Sequence, residues 1–219
     1  MQPVKEQYYR LKLLIFICVG VGLTAMFAIY GLHQAIGNIS ISMLTKDSLG
    51  SVHAPIYIGI LSNIGIMLWS STVAVCLFAA VHIRFYSSKS AIGRFLLFSA
   101  MLTFFLAIDD AFMLHESIFP DYLHWPEIAI YMIYAVMLGG YFMCCWRYIL
   151  ETDYLLLFCA LFFLGGSVVM DTLFPYSDIE TFFEDVLKFC GIVFWLAYFS
   201  KTASAAIEAV SQHDGSLER

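Results

Sequence analysis

Charge is scarce in this chain: of its 219 residues only 13% are Asp, Glu, Lys or Arg, against 61% hydrophobic, and the mean hydropathy is +0.83. A disordered segment needs the opposite balance. A formal net charge of −6 and a pI near 5.4 exclude a basic nucleic-acid binder. The five prolines and 14 glycines show no collagen-like period. The six cysteines, Cys18, Cys76, Cys144, Cys145, Cys159 and Cys190, contain no CxxC pair and lie inside apolar runs. They read as small hydrophobes, and a secreted disulfide scaffold is excluded. Walker, GxGxxG, GxSxG, HExxH and EF-hand patterns are absent as well, so ordinary soluble cofactor chemistry has no support.

What the chain has in quantity is apolar length. Runs bounded by polar residues extend from Leu11 to Tyr30, Ile56 to Val81, Ile92 to Ile108, Ile128 to Tyr148, Tyr154 to Phe174 and Phe182 to Phe199. Each is continuous over the ~20 residues a spanning helix needs and lacks the two-residue alternation of a transmembrane strand. The fold expected is all-α, a polytopic membrane bundle of six transmembrane helices. Residues 1–201 would form a single transmembrane domain and 202–219 a short polar cytoplasmic tail. The first run is longer than the ~7–15-residue core of a signal peptide and no small-x-small site follows it, so it is read as a span.

Orientation follows from the basic residues. Six spans put Lys5, Arg10, Lys12, Arg84, Lys89, Arg94, Arg147, Lys201 and Arg219 on one side and only Lys46 and Lys188 on the other. By the positive-inside rule both termini are cytoplasmic, which suits a bacterial inner-membrane protein.

The acids distribute the other way. Asp47, Asp109, Asp110, Glu116, Asp121, Glu127, Asp171, Asp178, Glu180, Glu184 and Asp185, 11 of the 17, map to the outer half. At ~1.5 Å per residue, Asp109 and Asp110 stand ~23 Å above Arg94, Asp171 ~27 Å above Asp153, and Asp185 ~24 Å above Lys201. Three helices thus place acids at one level near the outer edge of a ~30 Å hydrocarbon core. In DDAFMLHE, residues 109 to 116, a continuous helix would carry Asp109 and Glu116 on one face, with His115 joining only where the helix ends or unwinds. Lys188 is i,i+4 from Glu184 and i,i+3 from Asp185, within pairing reach of both.

With Lys188 as the sole cation, Asp109, Asp110, Asp171, Glu184 and Asp185 would leave four negative charges uncompensated near low dielectric. Protonation, contact with water, or a bound cation resolves that excess. The expectation is a divalent metal (Zn, Mn, Fe, Mg or Ca) held by Asp109, His115, Glu116, Asp171 and Glu184. Asp110, Lys188 and Asp185 would then supply general-base and anion-holding chemistry. The function expected is a metal-dependent intramembrane hydrolase of a membrane lipid or lipid-linked substrate. A proton or cation pathway through the same acids, and an accessory or sensor subunit of a homo-oligomer or membrane partner, are the alternatives. Glu184 and Asp185 also suit the positive end of the sixth helix without any ligand. The aromatic residues near the span ends, Tyr8, Tyr30, Trp125 and Tyr154 among them, read as an interfacial belt, and Gly139-Gly140 and Gly165-Gly166 as points of close helix contact.

Overall fold

The computed structural model describes positions between Lys12 and Ala35 and residues 59–86, 90–174 and 177–217. The chain divides into two compact units, Met1–Ile58 and Gly59–Arg219. The described residues of the first unit are helical, and the rings of Tyr30 and His33 face each other there at a tilt of 47°, with centroids 6.4 Å apart. The second unit contains α1 (Ile60–Tyr86), α2 (Ala91–Phe112), a π-helical segment (Leu114–Tyr122), α3 (Glu127–Leu150), α4 (Tyr154–Leu173) and α5 (Asp178–Leu217, 40 residues). No strand occurs among the described residues.

Four of these helices are long and apolar enough to cross a membrane: Ile60–Arg84, Ala91–Phe112, Ile128–Leu150 and Tyr154–Leu173. They correspond to the second through fifth runs of the sequence. The first run falls largely outside the described residues, and the sixth lies inside α5, where Glu184, Asp185 and Lys188 interrupt the apolar pattern. Residues 202–217, expected as a tail, continue α5 as helix, with Thr202 and Ala203 buried.

Packing runs α2 on α1, α1 on α5 and α5 on α4, while the backbone of α3 approaches α2 only sparingly and that of α4 hardly at all. The core is centred on α5. Trp195, Tyr198 and Phe199 are fully buried and meet Trp69 and Cys76 of α1, Phe95 and Leu96 of α2, and Leu157 and Ala160 of α4. Buried hydroxyls of α2 are satisfied within or between helices, as an apolar interior requires. Ser99 donates to the Phe95 carbonyl and pairs with the Tyr141 hydroxyl at 2.7 Å. The Trp195 indole N–H donates to Thr103 at 3.0 Å.

Of the glycines expected at close helix contacts, Gly166 meets Leu187 of α5, with a Cβ there 3.6 Å from Leu187 Cδ1, but the tightest contact falls at another glycine. A Cβ on Gly191 would lie 2.6 Å from Leu164 Cγ and 3.0 Å from the Leu164 backbone nitrogen, so α4 and α5 touch there. Gly139, Gly140 and Gly165 have no described atom within 4 Å of that position. Gly191→Ala is therefore expected to destabilise the fold by ~1–3 kcal/mol, the usual cost of overpacking, whereas Gly140→Ala should leave thermal unfolding in detergent unchanged.

Candidate functional site

The site forms where α2 stops. Met113 adopts the left-handed conformation (φ 50°, ψ 48°) and its N–H bonds the Asp109 carbonyl, closing the helix. A non-glycine residue in this region is uncommon and costs ~1–2 kcal/mol. The wider π-helical turn that follows brings His115 back over the last turn of α2. There the His115 backbone N–H donates to Asp109 Oδ1 at 3.1 Å and its Nδ1 meets Asp109 Oδ2 at 2.7 Å. The Tyr134 hydroxyl of α3 also donates to Asp109 Oδ1, at 2.6 Å. An ionised carboxylate only accepts, so Nδ1 is the protonated nitrogen and the basic lone pair of the neutral ring is on Nε2. Asp109 and His115 are both buried.

Two further groups stand at the same end of the bundle. Lys188 Nζ of α5 lies 2.6 Å from Asp110 Oδ1 of α2, with the aspartate side chain 7% exposed and the lysine 25%. Asp171, at the end of α4, accepts from the Tyr131 hydroxyl at 2.6 Å. It also joins Glu180 and Glu184 of α5 in a set whose ligand atoms all lie within 4.8 Å of one another. Ser177 caps α5 by accepting from the Glu180 N–H at 3.1 Å. That cap fixes the helix start and places Glu180 and Glu184 one turn apart on one face.

A family comparison matches residues 13–202 to the Domain of unknown function (DUF8692). The chain belongs to this family. No curated protein and no solved structure matches it.

In this DUF8692 chain the residues expected as one metal set occupy two places. Asp171 and Glu184 share the acidic group, whose third member is Glu180, while Asp109 and His115 bond each other. Because α2 ends at Phe112, the continuous helix that would align Glu116 with Asp109 is not formed, and the Glu116 side chain lies outside the described residues. Asp110, Lys188 and Asp185 line one small recess beside Gly65 and Ile192. Tyr131, Tyr134 and Glu180 are participants that the sequence reading did not single out.

Asp109 and His115 of the first group and Asp171 and Glu184 of the second open into one cavity of about 520 Å³, lined by α2, α3, α4 and α5 with Trp69 of α1. Its polar end carries Asp109, Asp110, His115, Tyr131, Tyr134, Asp171, Glu184 and Lys188. The remainder of its wall is chiefly apolar and includes Trp69, Leu138, Phe142, Leu161, Leu164 and Trp195.

Proposed function

We propose that this protein is a metal-dependent hydrolase of the membrane interior, acting on a lipid or lipid-linked substrate that reaches the cavity from the bilayer. Its six spans carry both termini into the cytoplasm and the polar end of the cavity toward the outer face, the orientation that its basic residues favour. The observation that carries the reading is the opening of an aspartate-oriented histidine and of two members of a three-carboxylate group, Asp171 and Glu184, into the same mainly apolar cavity.

An all-oxygen donor set from Asp171, Glu180 and Glu184 suits a hard divalent cation such as Mg, Mn or Ca better than Zn, which prefers nitrogen and sulfur. The buried Glu180 in particular has little access to bulk water for charge compensation. A cation held there would act as a Lewis acid toward substrate or water. His115, held by Asp109, takes the proton of the attacking water and returns it to the leaving heteroatom. Water is thereby added across the cleaved bond, hydroxyl to the acyl centre and hydrogen to the leaving group. Tyr134 keeps the Asp109 carboxylate in register for that exchange.

Elemental analysis of detergent-purified protein, prepared without chelator, tests the metal assignment. Near-stoichiometric divalent metal is expected in the wild type and in Asp109→Asn, and its loss in the Glu180→Gln, Glu184→Gln double variant. Metal-free wild type, or metal retained in the double variant, would remove the basis for the reading.

A further inference from the structure

The acid groups occupy one end of the cavity, and its remaining wall points to the kind of molecule it receives. Two positions there have no side chain at all: Gly139 of α3 and Gly165 of α4. Both line the cavity, and a Cβ on either would meet no described atom within 4 Å. Neither glycine is needed for close packing, which Gly191 provides elsewhere. Their effect is to leave the cavity open midway along its apolar wall, on the two helices whose backbones hardly approach one another.

The volume of about 520 Å³ lies inside the ~300–1,000 Å³ range of sites that enclose one small ligand. It suits one hydrocarbon chain with its head group. At the polar end the carboxylates of Asp109, Asp110, Asp171 and Glu184 line the cavity against Lys188, which is ion-paired to Asp110 at 2.6 Å. The five carboxylates at this end (Asp109, Asp110, Asp171, Glu180 and Glu184) exceed Lys188 plus one divalent cation by two charges, so a carboxylate or phosphate head would still meet net like charge there, and a hydroxyl or amine would meet acceptors.

We propose that the cavity takes one hydrocarbon chain of an amphiphile whose head donates hydrogen bonds and carries no negative charge, with Gly139 and Gly165 setting the chain length it accepts. This deepens the substrate side of the hydrolase reading and rests on its cavity, while requiring neither metal nor turnover.

Trp69 and Trp195 face the cavity and are buried from lipid, at 3% and 0% exposure, whereas Trp125 and Trp146 are exposed. A full-length chain carrying Trp125→Phe and Trp146→Phe, placed in lipid nanodiscs, therefore reports on the cavity by fluorescence. Bromine-labelled hexadecanol is expected to quench this signal saturably, unlabelled hexadecanol to reverse it, and palmitate to compete at least about tenfold more weakly. Gly139→Leu with Gly165→Leu should weaken hexadecanol by about tenfold or more and leave octanol little changed. The milder Gly165→Ala, with helicity checked by circular dichroism, should show the same trend. Unsaturable quenching, or quenching identical in the glycine variants, overturns the proposal, and palmitate competing as well as hexadecanol overturns its head-group half. Hexadecanol has no bond to hydrolyse. Absent hydrolysis with intact quenching would strike the hydrolase reading alone, and absent quenching with intact hydrolysis would strike this inference alone.

Discussion

Lys188→Ala is expected to cost ~3–5 kcal/mol of stability, the range seen when one partner of a buried ion pair is removed. The Asp110 side chain is 7% exposed and its Oδ1 lies 2.6 Å from the ammonium, so the variant strands a carboxylate among α1, α2 and α5 with little water to replace the cation. Thermal unfolding in detergent measures the loss. Combining Asp110→Asn with Lys188→Met removes both charges and should recover most of it, since replacing a whole buried pair is far less costly than breaking one. Wild-type stability in the single variant would mean that Asp110 reaches water by another route and that the pair is a surface contact in energetic terms.

The second large effect belongs to Asp109. One carboxylate holds three donors: the backbone N–H and Nδ1 of His115, and the Tyr134 hydroxyl. Asp109→Ala therefore leaves three polar groups without that acceptor and unties the π-helical segment from the end of α2. Hydrogen exchange over residues 114–122 should accelerate. Hydrolysis of the proposed substrate should fall by ~10²–10⁴, the usual contribution of a positioned acid–base group. Asp109→Asn separates the two roles. It can still accept at one oxygen, so exchange over the segment should change little, while the imidazole loses the carboxylate that orients it and stabilises its charged form. Tyr134→Phe, which removes one donor and leaves the histidine pair, should lower turnover by a smaller factor.

The level of the acids was legible from helical rise alone. Counting from Arg94, Asp153 and Lys201 put Asp109, Asp171 and Asp185 at one height, and the structure joins that layer through Asp110–Lys188 and Asp171–Glu184. The ends of the second through fifth runs came within a few residues because hydropathy changes sharply there. The partners of the acids were not legible in the same way. Tyr131 and Tyr134 lie in an apolar run among many aromatics, and only the angle at which α3 faces α2 and α4 makes them donors to Asp109 and Asp171. Glu180 did leave a signal, since Ser177 three residues ahead of it is the spacing of a capping box. That spacing starts α5 at Asp178 instead of Phe182 and brings Glu180 into line with Glu184. The left-handed Met113 left none, because methionine is an ordinary helix former and nothing local favours positive φ. His115 consequently reached Asp109 by a backbone route that side-chain periodicity could not anticipate.

The length of α5 has a consequence of its own. Forty residues at ~1.5 Å each make a rod of ~60 Å, twice the ~30 Å of a hydrocarbon core. No ordinary tilt fits such a rod inside a bilayer. With Glu180 and Glu184 at the acidic end of the bundle, its other half carries Lys201, which pairs with Asp153 at 3.0 Å, and Gln212, which bonds Glu208, while Ala203, Ala206, Ile207 and Val210 still pack on the core. The helix works as a ruler for the bundle: a single rod lines the cavity with Lys188 and Trp195, fills the core with Tyr198 and Phe199, and carries that packing on past Lys201 to Val210.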